Sequence, residues 1–299
     1  SPFFSCGAKL PILTAIAGGI LAVFKVGNAD LITYGMYVLG MTTAIVTVLL
    51  MRNTTMRGDV PPFIMELPNY HLPQFKSLMV HLWDKLKHYI EKAFTIILAS
   101  TIIIWFLSSF TFNYEFLPTF ATINGEQLVV NLRMNESILA GLGGLFAPLF
   151  APLGFGSNLD NYAWVFVVAA VTGLIAKENV IATFGTLAAC IAGGYVATED
   201  GILEVVAMIK ATGINTPALI AFIAFNMTTI PCFAAVATAK GELSKKKFSW
   251  TLAFWLVTSY IVAMAIYLIG TYWWTSFIFA LAFIALVICV NFLDRRATK

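Results

Sequence analysis

The stretch that decides the fold is Asn226–Thr238, which reads Asn-Met-Thr-Thr-Ile-Pro-Cys-Phe-Ala-Ala-Val-Ala-Thr. It lies in an apolar segment from Pro217 to Lys240 that is long enough to cross a bilayer. Pro231 has no N–H, and its ring clashes with the carbonyl four residues earlier, so the helix must kink or break there. At membrane depth, such a break is tolerated only where protein or water covers the freed carbonyls.

The residues around this break are those from which a membrane protein builds a transport site. Cys232 follows the proline directly, and Asn226, Met227 and Thr228 precede it by one to two helical turns. They supply sulfur, an amide and a hydroxyl beside the freed carbonyls. Transporters place substrate and ion sites at interrupted helices of this kind. We therefore expect a transport site around Pro231.

The composition is that of an integral membrane protein. Hydrophobic residues make up 60% of the chain and charged residues 11%, with a mean hydropathy of +0.86, whereas soluble domains carry about a quarter charged residues. The four cysteines show no paired framework, so we expect no structural disulfide. The sequence has no phosphate loop, zinc-protease motif or nucleophile elbow, and no basic aromatic-interleaved surface. We expect neither an enzyme nor a nucleic-acid-binding protein, and no cofactor bound to this chain.

The hydropathy pattern predicts an all-α, polytopic transmembrane bundle of about eight membrane segments, some broken or re-entrant. The apolar windows lie at about 10–26, 31–51, 93–111, 138–153, 162–192, 215–240, 249–270 and 271–293. The chain divides into a membrane part at 1–51 with two helices, a cytoplasmic connector at 52–92, and the remaining helices with a short basic tail at 93–299. Lysine and arginine concentrate in the connector, in the loop 240–247 and in the tail, which predicts that both ends are cytoplasmic.

The connector ends in a predicted amphipathic helix at 74–92. His81, Asp84, His88 and Glu91 share its polar face, where they could hold a divalent metal. The same pattern is typical of a helix that lies on the cytoplasmic membrane surface with its polar face in water, and we favour that interpretation.

A second interruption falls within residues 162–192, where Lys177 and Glu178 stand near the middle of about thirty apolar positions. A charge at the bilayer centre costs several kcal/mol on insertion scales, so it should face a partner or a cavity. The alternative is that the pair marks a helix end at the membrane interface. We favour two half-helices, with Glu178 as an intramembrane carboxylate that attracts a cation or pairs with a lysine.

Four segments carry a resemblance to a known family. They are Ser1–Pro11, Pro62–Pro73 with its Pro-Phe-Ile-Met-Glu-Leu-Pro, Thr172–Glu178 with its Thr-Gly and Ala-Lys-Glu, and Ile230–Thr238 with its Ile-Pro-Cys. In this order they are similar to FeoB, the bacterial ferrous iron transport protein B family. Ala235 stands where that family often has Thr, and residues 239–242 replace a more basic run.

The resemblance implies a membrane fragment of a transporter that moves Fe²⁺ across the bacterial inner membrane. Its fold would be the gate architecture shared with nucleoside transporters. In that family a cytoplasmic GTPase domain and a first gate segment precede the region matched here, and GTP would act only through that domain. Partners implied are the lipid bilayer, the GTPase domain, small FeoA-type proteins and further copies of the chain.

Within this resemblance we expect the Fe²⁺ path to run past Cys6, Cys232 and Glu178, since a mixed set of thiolate, carboxylate and water can bind Fe²⁺ transiently. Cys190 and Cys289 lie in runs of small apolar residues, where a thiol is more often filler. Supporting positions are Pro231, Asn226, Met227, Thr228 and Lys177. Glu66 would tether the connector rather than bind iron.

Two other functions stay open from the sequence. A nucleoside or small-solute carrier could use the same architecture, although its site would favour amides and aromatic side chains over paired cysteines. A non-transporting membrane scaffold for the GTPase could use the connector 52–92 and the loop 241–247 as docking surfaces.

Overall fold

The computed structural model describes residues 7, 9–25, 28–54, 74–117, 119–123, 126–130, 134–159, 162–175, 177, 180–181, 183–185, 201–231, 236, 239–241 and 243–285. Most of these residues are helical, which confirms the predicted helical bundle. In chain order the helices are α1 Leu10–Phe24, α2 Ala29–Thr54, α3 Phe75–Ser109, α4 Ile138–Phe150, α5 Ala163–Ile175, α6 Ile202–Thr212, α7 Thr216–Thr228, α8 Lys245–Thr271 and α9 Thr275–Ala285. Single 3₁₀ turns lie at Met134–Glu136 and Ala151–Leu153.

Two helices in the described part of the chain are long and apolar enough to cross a membrane, judged by length and composition. They are the stretches Ala29–Leu49 of α2 and Lys247–Thr271 of α8. Both leave most of their surface outside the protein core, as a helix facing lipid does. The eight predicted membrane segments are not confirmed.

Three shorter helices pack among the longer ones, and of these α7 is the most deeply buried whereas α4 leaves Leu145 and Leu149 exposed. α4, α5 and α7 each have 13 residues, about 20 Å of helix against a hydrocarbon core of about 30 Å. α7 packs along α8, α4 packs on α5, and α1 packs on α6 and α7. Because a helix end inside a membrane must be covered by protein, the burial of α7 fits its short length.

Phenylalanine rings fill the core around α7. Phe155 and Phe166 both meet Phe222 of α7 edge to face, with ring centroids 5.2 and 5.4 Å apart. Phe184 also meets Phe166 edge to face at 5.3 Å, as Phe150 meets Phe225 at 5.6 Å. Edge-to-face rings are favourable because the positive edge of one meets the negative face of the other. This aromatic cluster holds the last turns of α7 in place.

α3 differs from the prediction. The sequence suggested a surface helix up to residue 92 and a separate span from 93, whereas α3 runs unbroken over 35 residues from Phe75 to Ser109. No glycine or proline interrupts that stretch, so nothing in it favours a helix end. A helix of this length measures about 52 Å. The predicted boundary at residue 92 is therefore not a helix end.

A short hairpin lies in the segment between α3 and α4. Strand β1 Thr119–Ile123 pairs antiparallel with β2 Glu126–Val130, with Ile123 opposite Glu126. Thr, Ile and Val are common in strands, and Asn124-Gly125 between the strands is the typical sequence of a two-residue turn. The all-α prediction did not include this hairpin.

Candidate functional site

The break predicted before Pro231 is present. α7 ends at Thr228, Thr229 has an extended backbone (φ −69°, ψ 174°), and Ile230 and Pro231 lie outside any helix. The last bond of the helix runs from the Thr229 N–H to the Phe225 carbonyl at 2.9 Å. In a continuing helix the next two carbonyls, of Asn226 and Met227, would accept from residues 230 and 231. The break takes the N–H of Ile230 out of the helix, and Pro231 has no N–H to donate.

Lys9 supplies the donor that the Met227 carbonyl lacks. Its Nζ lies 2.6 Å from Met227 O, although the two residues are 218 positions apart. Lys9 stands at the start of α1 and is only 2% exposed. The side chain therefore ties the beginning of α1 to the end of α7.

Lys177 does the same for the Asn226 carbonyl, again at 2.6 Å from Nζ to oxygen. It lies in a turn between the end of α5 at Ile175 and the helical residues that begin at Val180, and it is 2% exposed. The predicted interruption of this segment is thus present. The burial of Lys177 against α7 favours the interpretation that the charge faces a partner inside the protein, and the alternative of a helix end at the membrane interface stays a prediction.

Two adjacent carbonyls that lack a donor within their own helix thus each accept a hydrogen bond from a lysine ammonium. The carboxyl end of a helix carries a partial negative charge, which lysine stabilises when it bonds the last carbonyls. A bond to a charged donor contributes about 1.5–3 kcal/mol, roughly twice a neutral one. The break is accordingly the point where three separate parts of the chain are held together.

Two further oxygens at the break have no hydrogen-bond partner among the described residues. They are Oδ1 of Asn226 and Oγ1 of Thr229, whose side chains are 1% and 0% exposed. The Asn226 amide is fixed, since its Nδ2 donates to Phe222 O at 2.9 Å. Its Oδ1 therefore faces α5, where a methyl group added to Gly173 would stand 2.8 Å away. Thr228, by contrast, donates its hydroxyl to Ala224 O at 2.7 Å.

The predicted iron ligands Cys6, Cys232 and Glu178 lie outside the described residues, as does Glu66. No group of three or more His, Cys, Asp or Glu side chains within the described ranges is placed to hold a metal ion. The structure therefore locates the supporting residues of the predicted site, namely Asn226, Met227, Thr228, Pro231 and Lys177.

Sequence reasoning missed Lys9 and also Glu204. Lys9 could have been found by asking which donor satisfies the Met227 carbonyl, since the apolar segments contain few cations. Glu204 lies in the first turn of α6 and is 2% exposed, close to Gly185. Its position in a short amphipathic stretch gave no sign that it would be buried.

Comparison with known families matches most of the chain. The Gate family model, described as "Nucleoside recognition", matches residues 90–246, which is more than half of the chain. The chain belongs to the Gate family. A second model, described as "Ferrous iron transport protein B C terminus", matches residues 33–85, ahead of the Gate match. The resemblance to the FeoB family is therefore confirmed, and the break at Pro231 and the interruption at Lys177 lie within the Gate region.

Curated relatives of this Gate chain share one description, "Fe(2+) transporter FeoB". The protein from Campylobacter jejuni is 34% identical over 262 residues, covering 87% of this chain and 39% of the relative. That from Methanocaldococcus jannaschii is 29% identical over 271 residues, covering 90% and 36%. That from Salmonella typhimurium is 36% identical over 187 residues, covering 62% and 21%. The chain thus spans well under half the length of these relatives, and no solved structure matches it.

Proposed function

We propose that this chain forms the ion-conducting membrane part of a ferrous iron importer and that Fe²⁺ passes the break at residues 229–231. The relatives named as Fe(2+) transporters support the substrate. The apolar composition and the two candidate spans support a site inside a membrane. The observation that carries the proposal is the pair of lysine bonds at the end of α7, because they draw together the three segments that contain the predicted ligands.

Only a short length of chain separates each candidate ligand from a residue at the end of α7. Cys6 is three residues before Lys9, Glu178 follows Lys177, and Cys232 is three residues after Thr229. Three residues span at most about 10 Å, and adjacent α-carbons lie about 3.8 Å apart. Each of the three candidate ligands is therefore tethered within a short distance of a residue that bonds to, or forms, the end of α7.

The chemistry of these ligands suits a metal that has to leave again. Fe²⁺ is intermediate in softness and accepts thiolate, carboxylate and water together. Two thiols and one carboxylate, supplied by three separate segments, make a site that small segment movements can open. Conduction requires binding that is favourable enough to admit the ion and weak enough to release it.

The rest of the assembly follows from the family. We propose a bacterial inner membrane location with about eight membrane segments and both ends of the chain in the cytoplasm. A GTPase domain and a first gate segment, supplied by the region that precedes this one in the FeoB family, would complete the pore and control it. Small FeoA-type proteins and further copies of the chain are the proposed partners.

Uptake of Fe²⁺ by the complete gene product tests this function. Iron-starved cells without their own ferrous transporter would express the unmodified protein, Cys6→Ser, Cys232→Ser or Glu178→Gln at matched membrane levels. We expect each variant to lose at least about tenfold in uptake rate, corresponding to about 1.4 kcal/mol. Cys289→Ser is the matched control and should keep full uptake.

Unchanged uptake in both Cys6→Ser and Cys232→Ser would return these thiols to a packing role. Absence of iron uptake by the unmodified protein would remove the proposed substrate. The description of the Gate family as nucleoside recognition favours a nucleoside as the second candidate. The same cells should then accumulate a labelled nucleoside, and if they accumulate neither substrate the scaffold role is favoured.

A further inference from the structure

We propose that Tyr260 of α8 is a positioning residue for the iron path. Its hydroxyl holds the end of α4, and the end of α4 in turn packs against the end of α7 beside the break. The inference rests on the proposed function, since it assigns a further residue to the same path.

The end of α4 is a second interrupted helix end. α4 ends at Phe150 and is followed by the single 3₁₀ turn Ala151–Leu153. In such a turn a carbonyl accepts from the N–H three residues later. For Leu149 that residue is Pro152, which has no N–H. The Leu149 carbonyl therefore needs a donor from elsewhere.

Tyr260 supplies this donor. Its hydroxyl donates to Leu149 O over 2.8 Å, although the two residues are 111 positions apart. The Ala151 carbonyl, by contrast, accepts from Asn158 Nδ2 at 2.7 Å, within the loop that follows α4. The bond from Tyr260 thus ties the end of α4 to a separate helix.

α8 meets the same loop at a second point. Tyr267 is seven residues after Tyr260, so it lies on the same side of α8 about two turns further along. It packs against Gly154, where an added methyl group would collide with the tyrosine ring. The loop is therefore held to α8 at two points, and one of them is a hydrogen bond that a single substitution removes.

Phenylalanine rings connect the end of α4 with the end of α7. Phe150, which follows Leu149 directly, meets Phe225 edge to face with ring centroids 5.6 Å apart. The Phe225 carbonyl accepts the last bond of α7, from the Thr229 N–H at 2.9 Å. Because close-packed interiors transmit strain, a shift of Leu149 should displace Thr229, the extended residue where the break begins.

The effect of the hydroxyl can be separated from that of the ring. Tyr260→Phe keeps the ring and removes the donor. Pro152→Ala restores an N–H three residues after Leu149, so this carbonyl no longer needs the tyrosine. Loss of the hydroxyl should therefore matter less in the double variant, whereas a role that does not involve the Leu149 carbonyl predicts equal losses in both backgrounds.

The test measures the initial rate of Fe²⁺ uptake over a range of iron concentrations, by the complete gene product at matched membrane levels. Tyr260→Phe should lower the maximal rate about threefold to tenfold, the range that loss of one hydrogen bond gives. The half-saturating iron concentration should stay the same, because the substitution removes no proposed ligand. Tyr260→Phe with Pro152→Ala should keep at least about half of the rate of Pro152→Ala alone.

Tyr272→Phe is the matched control. It removes the hydroxyl of an exposed tyrosine directly after α8 and should keep the full rate. A second pair of variants covers the case in which Pro152→Ala itself takes up no iron. p-Aminophenylalanine in place of Tyr260 keeps a donor and should preserve uptake, whereas p-methylphenylalanine keeps the size without a donor and should lose it.

Equal uptake by Tyr260→Phe and the unmodified protein would overturn the proposal. Equal losses from Tyr260→Phe with and without Pro152→Ala would also overturn it, as would equal uptake with the two synthetic side chains. The proposed function fails differently, because it requires that the unmodified protein itself take up iron. Absence of that uptake would remove the iron path and, with it, this role of Tyr260.

Discussion

At the residue scale, Pro231 determines which groups near the break need partners. Because it lacks an N–H, the Met227 carbonyl must find a donor outside its own helix, and Lys9 provides it. The two oxygens of Asn226 differ, since its backbone oxygen accepts from Lys177 while its side-chain oxygen has no hydrogen-bond partner in the described part of the chain. Neighbouring residues of one turn thus differ in whether their polar groups are hydrogen-bonded. Substitutions there should therefore change the free energy of unfolding in different directions.

Thr228 and Thr229 provide the matched comparison for this difference, since both are fully buried. Thr228→Val removes a hydroxyl that donates to Ala224 and should lower the free energy of unfolding by about 0.5–1.5 kcal/mol. Thr229→Val removes a hydroxyl that has no hydrogen-bond partner among the residues that the structure describes, and should leave that free energy unchanged or raise it by up to about 1 kcal/mol. Denaturant unfolding of the purified protein measures both. Equal losses in the two variants would show that Thr229 has a partner in solution.

The residue scale also shows where prediction from sequence succeeds. The break before Pro231 and the interruption at Lys177 follow from local chemistry, a missing N–H and a charge within an apolar run. Lys9 could not be paired with Met227 by any local rule, because the bond joins residues 218 positions apart. What sequence does show is the unmet need for a donor, and only the fold reveals which lysine meets it.

At the element scale, the close approach of α5 to α7 determines the geometry of the site. Gly173 in α5 lies so near Asn226 that a methyl group there would stand 2.8 Å from Oδ1 and 2.8 Å from Val180 Cγ2. Since the Asn226 amide is held by Phe222, it cannot move aside without losing a bond. Close helix approach at glycine is common in membrane bundles.

Gly173→Ala should therefore destabilise the protein by about 1–3 kcal/mol through overpacking. The control is Gly144→Ala in α4, where no atom lies within 4 Å of the added methyl group. That change should be neutral or stabilise α4 by up to about 1 kcal/mol, because alanine favours helix over glycine. Thermal unfolding in detergent separates the two variants, and a loss for Gly144→Ala as large as for Gly173→Ala would contradict the packing argument.

Elements were predicted with unequal success. The positions of α1, α2, α4, α7 and α8 follow from apolar length, proline and glycine. The continuity of α3 was missed because the change from amphipathic to apolar pattern suggested a boundary, although no residue in it breaks a helix. The hairpin at 119–130 lies outside the apolar windows, so hydropathy does not predict it, and its sequence signal is the tight-turn pair Asn124-Gly125.

At the scale of the whole molecule, two long apolar helices, α2 and α8, leave most of their surface outside the core, and the short α7 packs along α8. The segment after α3 contains few positive residues, and the start of α8 contains three consecutive lysines. By the positive-inside rule, the first should face outward and the second the cytoplasm.

Labelling with a membrane-impermeant maleimide tests this orientation in intact cells. Tyr114→Cys, at a residue 84% exposed after α3, should react from outside, whereas Lys245→Cys should react only after the membrane is made permeable. Both are introduced where the four native cysteines are replaced by serine, and that background alone should not react. Labelling of Lys245→Cys in intact cells, with Tyr114→Cys protected, would show that the topology is the reverse of the one predicted.

The bond between Lys9 and Met227 also joins residues that are synthesised at well-separated times. Ribosomes add about 5–20 residues per second, so the 218 residues between the two partners take roughly 10–45 s to make. Throughout that interval the newly inserted α1 carries a lysine whose carbonyl acceptor has not yet been synthesised. The bond that ties α1 to α7 therefore forms only after most of this chain has been made.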